Sequence, residues 1–219
     1  MIVTIDGPAG SGKSTAARSL AERLGFAFLD TGAMYRAVAL QALTLALDLG
    51  DAEGVARVAR EMEIEALGPV VRVDGRDVTA AIRSPEVTSA ASLVAAIPDV
   101  RAALVRLQRQ AAEGRDVVSE GRDQGTVVFP NAQCKFYLNA DADERARRRL
   151  LELQATGEQI AFEDLLKQIL ERDTRDKTRD TAPLRPADDA LRIDTSHLSA
   201  DETVSRMEAV VREKIGKPV

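Results

Sequence analysis

The sequence lacks most of the residues that would tie it to a disulfide framework, a metal cage or an aromatic binding face. It has one cysteine, Cys134, and one histidine, His197, so neither an intramolecular disulfide nor a Cys/His metal site can be assembled. A redox compartment is therefore not specified, and the cytosol is the default. Tryptophan is absent and aromatics are only 3% of the chain, too few for stacking single-stranded nucleic acid. There is no excess of positive charge either: 30 Lys and Arg face 35 Asp and Glu, a net charge of −5. That balance argues against a nucleic-acid or acidic-membrane binder, which normally carries a basic surplus. No apolar run approaches the ~18 residues of a membrane span, and the N-terminus has neither a basic segment nor an apolar one of the secretory kind. A soluble, cytoplasmic protein is expected.

What remains is rich in aliphatic residues and arginine. With 45% hydrophobic residues over 219 positions, the chain can bury one core, or one core domain carrying a smaller insert. Only six of the 30 basic residues are lysine, and arginine's planar fork of donors suits bidentate phosphate recognition. Along the chain, Ile2 to Asp6 reads as a strand, Ser14 to Leu24 as a helix, Phe26 to Asp30 as a strand, and Thr31-Gly32 as a turn before a helix from about Met34 to Leu49. Such alternation implies an α/β fold, a doubly wound parallel sheet of about five strands with helices on both faces. Between about 51 and 90 the pattern changes to a charged helix and short alternating runs (63–67, 70–74 and 77–79) between Gly-Pro and Asp-Gly turns, a small antiparallel insert. Helical periodicity returns over Ser89 to Ala112. Asp116 to Glu120, Cys134 to Asn139 and Leu191 to Asp194 read as strands, and Asp141 to Leu153 as a helix with Asp141 at its N-cap. Thr156 to Pro186 is a charged helical segment ending in a loop, and Ser199 to Glu202 matches a capping box.

One motif is decisive for the chemistry. Gly7-Pro8-Ala9-Gly10-Ser11-Gly12-Lys13-Ser14 fits G-x-x-x-x-G-K-[ST] and lies between a predicted strand and a predicted helix, the context the phosphate-binding loop requires. Its glycines let successive N–H groups face a phosphate chain, and the helix that follows, beginning Ser14-Thr15, adds a positive N-terminal end. Lys13 can reach the β- and γ-phosphates of ATP and the Ser14 hydroxyl can bind Mg²⁺. A GTPase would add a guanine-reading Asn-Lys-x-Asp motif, yet the chain contains no Asn-Lys pair. A kinase for a small acceptor fits better than a nucleotide-dependent switch.

Four further strings narrow the choice: Ile5-Asp6-Gly7-Pro8, Leu29-Asp30-Thr31-Gly32-Ala33-Met34-Tyr35-Arg36, Gly121-Arg122-Asp123-Gln124-Gly125-Thr126-Val127-Val128-Phe129-Pro130, and Glu171-Arg172-Asp173-Thr174-Arg175-Asp176. In order and spacing, from Ile2 to about Leu198, the chain resembles the bacterial cytidylate kinases. That resemblance implies a P-loop nucleoside monophosphate kinase fold: one domain over 1–219, with a monophosphate-binding insert at about 51–90 and an arginine-bearing lid at about 145–186. It implies ATP-dependent, Mg²⁺-assisted phosphorylation of CMP and dCMP in pyrimidine nucleotide metabolism. Other small acceptors (UMP, AMP or shikimate) and a non-catalytic nucleotide-binding regulator are the alternatives. No nucleic-acid or membrane partner is implied, and a monomer is expected.

By the same resemblance, Thr31, Tyr35 and Arg36 lie by the acceptor phosphate and pentose, and Arg122 and Arg179 also serve phosphate. On an arbitrary helix Tyr35 would pack and Arg36 would be a surface charge. Directly after Asp-Thr-Gly at a strand end, where open α/β sheets place ligands, the site reading prevails. Ser92, Arg101 and Asp123 are assigned to the cytosine ring, and Arg172 and Asp176 to the pentose. A carboxylate with Arg and hydroxyl donors matches cytosine's amine beside its N3 and O2 acceptors. In the lid region, Arg145 and Arg149 share a helix face beside Arg148 and can converge on the ATP phosphates. Lys13, Arg122, Arg175 and Arg179 are the candidate catalytic residues. Glu120 stands where the family often carries Asp and is a candidate Mg²⁺ partner through water, while Gln124 stands where an apolar residue is common. Cys134 and Met34 are read as packing residues, and His197 as a loop residue.

Overall fold

In a computed structural model describing residues 1–155 and 157–216, the β-branched run at the N-terminus forms the central strand β1 (Ile2–Asp6), whose last four residues are buried. Helix α1 (Lys13–Leu24), strand β2 (Ala27–Asp30) and helix α2 (Thr31–Thr44) follow. Thr31-Gly32 is thus the first turn of α2 rather than a separate turn. The Asp30 carboxylate accepts the Ala33 N–H and caps the helix three residues earlier than glycine's presence suggests.

Next come α3 (Ala52–Glu61) and the short strands β3 (Ile64–Glu65), β4 (Arg72–Val73) and β5 (Arg76–Asp77). The three strands pair antiparallel in the order β3-β4-β5, as the Asp-Gly turn predicts. A 3₁₀ turn at Ala81–Arg83 leads into α4 (Pro85–Val94) and then α5 (Pro98–Ala112). The continuous helix expected over Ser89 to Ala112 is two helices. Pro98 cannot continue α4 and disfavours helical backbone at the residue before it, so a new helix starts with proline in its first turn.

Strands β6 (Val117–Gly121), β7 (Cys134–Asn139) and β8 (Leu191–Asp194) complete a five-stranded sheet, order β2-β6-β1-β7-β8, with every pair parallel. Between β6 and β7 lies a π-helical turn, Gln124–Val128. Helices α6 (Ala142–Ala155) and α7 (Phe162–Thr178) form a hairpin before β8, and α8 (Ala200–Ile215) closes the chain on the capping box of Ser199 and Glu202. The expected start of the charged helical segment, Thr156, lies outside the described residues. Asp141 precedes α6, its carbonyl accepting the Arg145 N–H as a cap residue does.

Among the described residues the core has three parts. One joins Leu29 and Met34 to Val55, Ile82 and Leu104, so the insert shares its apolar packing with α2 and α5. The second, beneath α1 and α8, holds Val3, Ile5, Leu20, Phe136, Met207 and Cys134. The third is small, Ala146, Leu165 and Ile169 between α6 and α7. The apolar packing of this helix hairpin is therefore small and largely its own. Met34 and Cys134 are buried, and His197 is exposed between β8 and α8.

Candidate active site

The carboxyl ends of β1, β2 and β6 converge at one end of the sheet, and the segments leaving them carry Gly7 to Ser14, Thr31 to Arg36, and Glu120 to Asp123. In open α/β sheets this is where ligands bind. Here it opens into a cleft of about 1090 Å³ whose far wall is α4, α6 and α7.

The loop after β1 is shaped by its glycines. At Gly7, φ is +151° and a Cβ would sit 2.0 Å from the Leu138 carbonyl oxygen, so no side chain fits between the loop and β7. Gly12, with φ +82°, caps α1 in a left-handed conformation that lets the helix N-terminus face the cleft. Lys13 is buried, and its ammonium donates to the Pro8 carbonyl at 2.9 Å. Burial, followed by the nearby Arg122, pushes the Lys13 amine down to about 7. The Ser14 hydroxyl donates to Glu120 Oε1 at 2.6 Å. Glu120 therefore faces the serine across the cleft, and its backbone carbonyl accepts the Thr31 hydroxyl at 2.6 Å.

On the opposite side, guanidinium groups gather around too few carboxylates. Arg122 Nε donates to Asp176 at 2.9 Å, and Arg36 pairs with Asp30 at 3.2 Å. Burial alone would raise the Asp176 carboxyl, but Arg122, joined by Arg172 and Arg179, holds the group below the usual carboxylate range. Burial, and then Arg122, lowers Arg172 to about 10, and burial together with Arg101 also lowers Arg179. Three donors of this cluster, Arg36 Nε, Arg172 Nε and Arg179 Nη2, are buried without a hydrogen-bond partner. Unpaired buried N–H groups are costly and the four arginines repel one another, so the chemistry of the cluster suits an anion.

Deeper in the cleft, Arg101 and Asp123 form an ion pair with both side chains 4% exposed. Arg101 also donates to the Ala95 carbonyl at 3.3 Å, and its guanidinium lies 5.5 Å from the Tyr35 ring centroid. Burial raises the Tyr35 hydroxyl to about 12, so it stays protonated. From across the cleft Arg175 donates to the Ser92 hydroxyl at 2.8 Å.

Nearly every site residue singled out in the sequence lines this cleft; Gly7, Pro8 and Arg145 do not. Arg145, Arg148 and Arg149 of α6 do not meet at one point. Arg145 makes a bidentate pair with Asp173, 2.6 and 3.1 Å, and donates to the Ala9 carbonyl at 3.1 Å, so it ties α6 and α7 to the phosphate loop. Arg148 donates to the Thr195 carbonyl at 2.6 Å, and Arg149 pairs with Glu152 at 2.9 Å. Sequence reasoning missed Asp173, Thr195 and Gln108, whose partners lie far along the chain. Gln124 now has a place: buried, it accepts from Ser119 at 2.7 Å and donates to Gln108 at 3.3 Å.

Solved structures share this architecture at low identity. A shikimate kinase from Bacteroides thetaiotaomicron matches with a TM-score of 0.50 and 13% identity over 97% of this chain and 98% of that one. A gluconokinase from Sinorhizobium meliloti matches with 0.50 and 17% over 96% and 91%. Closer in sequence is the cytidylate kinase of Caldanaerobacter subterraneus subsp. tengcongensis, 47% identical over 211 residues, 96% of this chain and 94% of that protein. Cytidylate kinase 1 of Haemophilus influenzae is 47% identical over 216 residues, 97% and 94% of the two chains. The family model described as cytidylate kinase matches residues 3–213, which takes in the phosphate loop, the arginine cluster and the Arg101–Asp123 pair, and the chain belongs to the cytidylate kinase family.

Proposed function

We propose that this enzyme transfers the γ-phosphoryl group of ATP to the phosphate of CMP, and of dCMP, giving the diphosphates. The observation that carries this reading is that Arg36, Arg122, Arg172 and Arg179 line the same cleft as the phosphate loop, with a buried, unpartnered N–H on three of them, Arg36, Arg172 and Arg179. A phosphate loop alone accommodates any nucleoside triphosphatase. A second buried anion site opposite it is what a kinase with a phosphorylated acceptor needs.

In this reading the loop amides, Lys13 and Thr15 hold the ATP phosphates, with Arg149 above them and Arg145 bracing the loop from behind. Arg36, Arg122 and Arg179 take the acceptor phosphate, Thr31 and Tyr35 flank it, and Arg172 and Asp176 hold the pentose. Asp123 accepts from the cytosine amine while Arg101 and Ser92 donate to the ring's acceptors. The attacking oxygen belongs to a phosphate that is already anionic, so no general base is needed. Catalysis consists of neutralising repulsion, aligning donor and acceptor in line, and excluding water. Arg175 and Arg179, on and just after α7, add charge to the transferring group when the α6–α7 hairpin closes.

No cluster of three or more His, Cys, Asp or Glu side chains capable of holding a metal exists among the described residues. The Ser14 hydroxyl and the Glu120 carboxylate, 2.6 Å apart at the loop, nonetheless fit Mg²⁺, which takes oxygen ligands and is typically bound through one or two protein groups together with substrate phosphates. Ser14 would hold the ion directly and Glu120 through water, and the ion would supply neutralisation of the triphosphate's charge.

A coupled assay of purified protein across CMP, dCMP, UMP, AMP, GMP and shikimate tests the reading. CMP and dCMP should have the highest kcat/KM, and ATP consumption should depend on an added acceptor. Faster turnover of AMP or GMP than of CMP, or ATP hydrolysis indifferent to acceptor, refutes it.

A further inference from the structure

Asp6 ends β1, one residue before the phosphate loop begins, and its side chain does not line the cleft. Both of its carboxylate oxygens are in use. Oδ1 accepts the backbone N–H of Gln124 at 2.8 Å, and Oδ2 accepts that of Gly125 at 2.7 Å. These amides open the π-helical turn for which Asp123 is the N-cap residue. One carboxylate therefore grips the two peptide units that follow Asp123, whose own side chain holds Arg101.

The fit is close. A Cβ on Gly125 would meet Thr4 Oγ1 at 3.0 Å and Asp6 Oδ2 at 3.4 Å, so a glycine lets the turn come down onto β1. Two adjacent N–H groups require two acceptors on one short side chain. Aspartate supplies them, whereas asparagine supplies one acceptor and a competing donor. The arrangement also opposes stability: burial raises the Asp6 carboxyl to about 7, against the pull of the two amides and Lys13.

We propose that Asp6 is a positioning residue for acceptor recognition: by clamping the amides of Gln124 and Gly125 it sets the Asp123 carboxylate, and through it Arg101, where the acceptor base is read. The clamp ties the base-reading segment to the strand that delivers the donor loop, so the two halves of the site share one rigid reference. This inference rests on the reading of Arg101 and Asp123 as the base-recognition pair.

The test is Asp6→Asn in the full chain, assayed at pH 8, where the Asp6 carboxyl is ionised, with CMP and UMP at saturating ATP and with varied ATP at saturating CMP. One of the two amides then faces an amide donor. The expected result is a rise in KM for CMP of about tenfold, the scale of one buried hydrogen bond left unmade, a fall of severalfold in the CMP/UMP ratio of kcat/KM, and a KM for ATP within about twofold of wild type. Equal losses for ATP and CMP, or an unchanged CMP/UMP ratio in the folded variant, overturn the proposal by reducing Asp6 to general support. Gly125→Ala perturbs the same turn with Asp6 intact and should lower the CMP/UMP ratio in the same direction. If Asp6→Asn does not fold, an unchanged ratio in Gly125→Ala overturns the proposal. If the wild-type enzyme itself does not prefer CMP to UMP, the reading of the base site fails first and the proposal falls with it.

Discussion

Removing the Asp123 carboxylate leaves the Arg101 guanidinium charged in a place where water does not reach, since both side chains are 4% exposed. Breaking a buried pair from one side costs ~3–5 kcal/mol. Arg101 keeps its bond to the Ala95 carbonyl and its stacking on Tyr35, so the lower end, ~3 kcal/mol, is expected for Asp123→Ala. At ~2–4 °C per kcal/mol for a chain of this size, the melting midpoint should fall by roughly 6–12 °C. Function should suffer separately. Truncating a desolvated charged contact costs ~2–5 kcal/mol in binding, or roughly 30-fold to several thousand-fold in kcat/KM for CMP at 1.4 kcal/mol per decade. UMP presents a carbonyl where cytosine has its amine, and a carboxylate facing it is repulsive from the start, so UMP should lose less. The double variant Arg101→Met with Asp123→Leu separates the two effects, because an apolar pair of similar volume restores stability without restoring recognition. Calorimetry with steady-state kinetics on both acceptors decides the matter. An unchanged CMP/UMP ratio in folded Asp123→Ala means that other residues read the base, and an unchanged midpoint means that the pair is not desolvated as the structure has it.

The features legible in the sequence are those whose cause is local. The phosphate loop is written in consecutive residues because close backbone approach requires glycine at fixed positions, and the capping box needs only Ser199 and Glu202. The parallel sheet follows from strands alternating with amphipathic helices. Element boundaries went astray where a single residue decides between competing local signals. Gly32 suggests a turn, but Asp30 captures the Ala33 amide and starts the helix there, and Pro98 divides a periodicity that otherwise runs on. The site was readable as an inventory of arginines, yet not as an arrangement. Arg122 finds Asp176, Arg145 finds Asp173, and Asp6 finds Gln124 and Gly125 only after the sheet has brought β1 and β6 side by side and the α6–α7 hairpin has folded over them. Spacing along the chain carries no trace of such pairs. For the same reason helix periodicity could place Arg145 and Arg149 on one face, but not show that Arg145 turns inward to Asp173 while Arg149 stays with Glu152.

Three further outcomes are expected. Lys13→Ala should lower kcat by at least ~10²-fold with the fold intact, because the ammonium meets charge that shifts in the transition state; a near-normal kcat in single-turnover assays would assign the loop to binding alone. Arg36→Ala should raise KM for CMP far more than KM for ATP, since in the proposed reading Arg36 holds the acceptor phosphate, and equal effects on both substrates would place its anion elsewhere. The last concerns stability and pH. Asp6 has a folded value of about 7 against 3.8 for the free side chain, so between those values the folded chain keeps a proton that the unfolded chain has released. Its contribution to stability therefore falls as pH rises from about 4 to about 7, by a few kcal/mol in all. Asp6→Asn removes this contribution, so urea unfolding at pH 5 and pH 8 should show the wild type losing more stability on that rise than the variant does. An identical pH dependence in the two proteins would mean that the buried carboxyl is ionised throughout, with its two backbone partners fully offsetting the cost of burial.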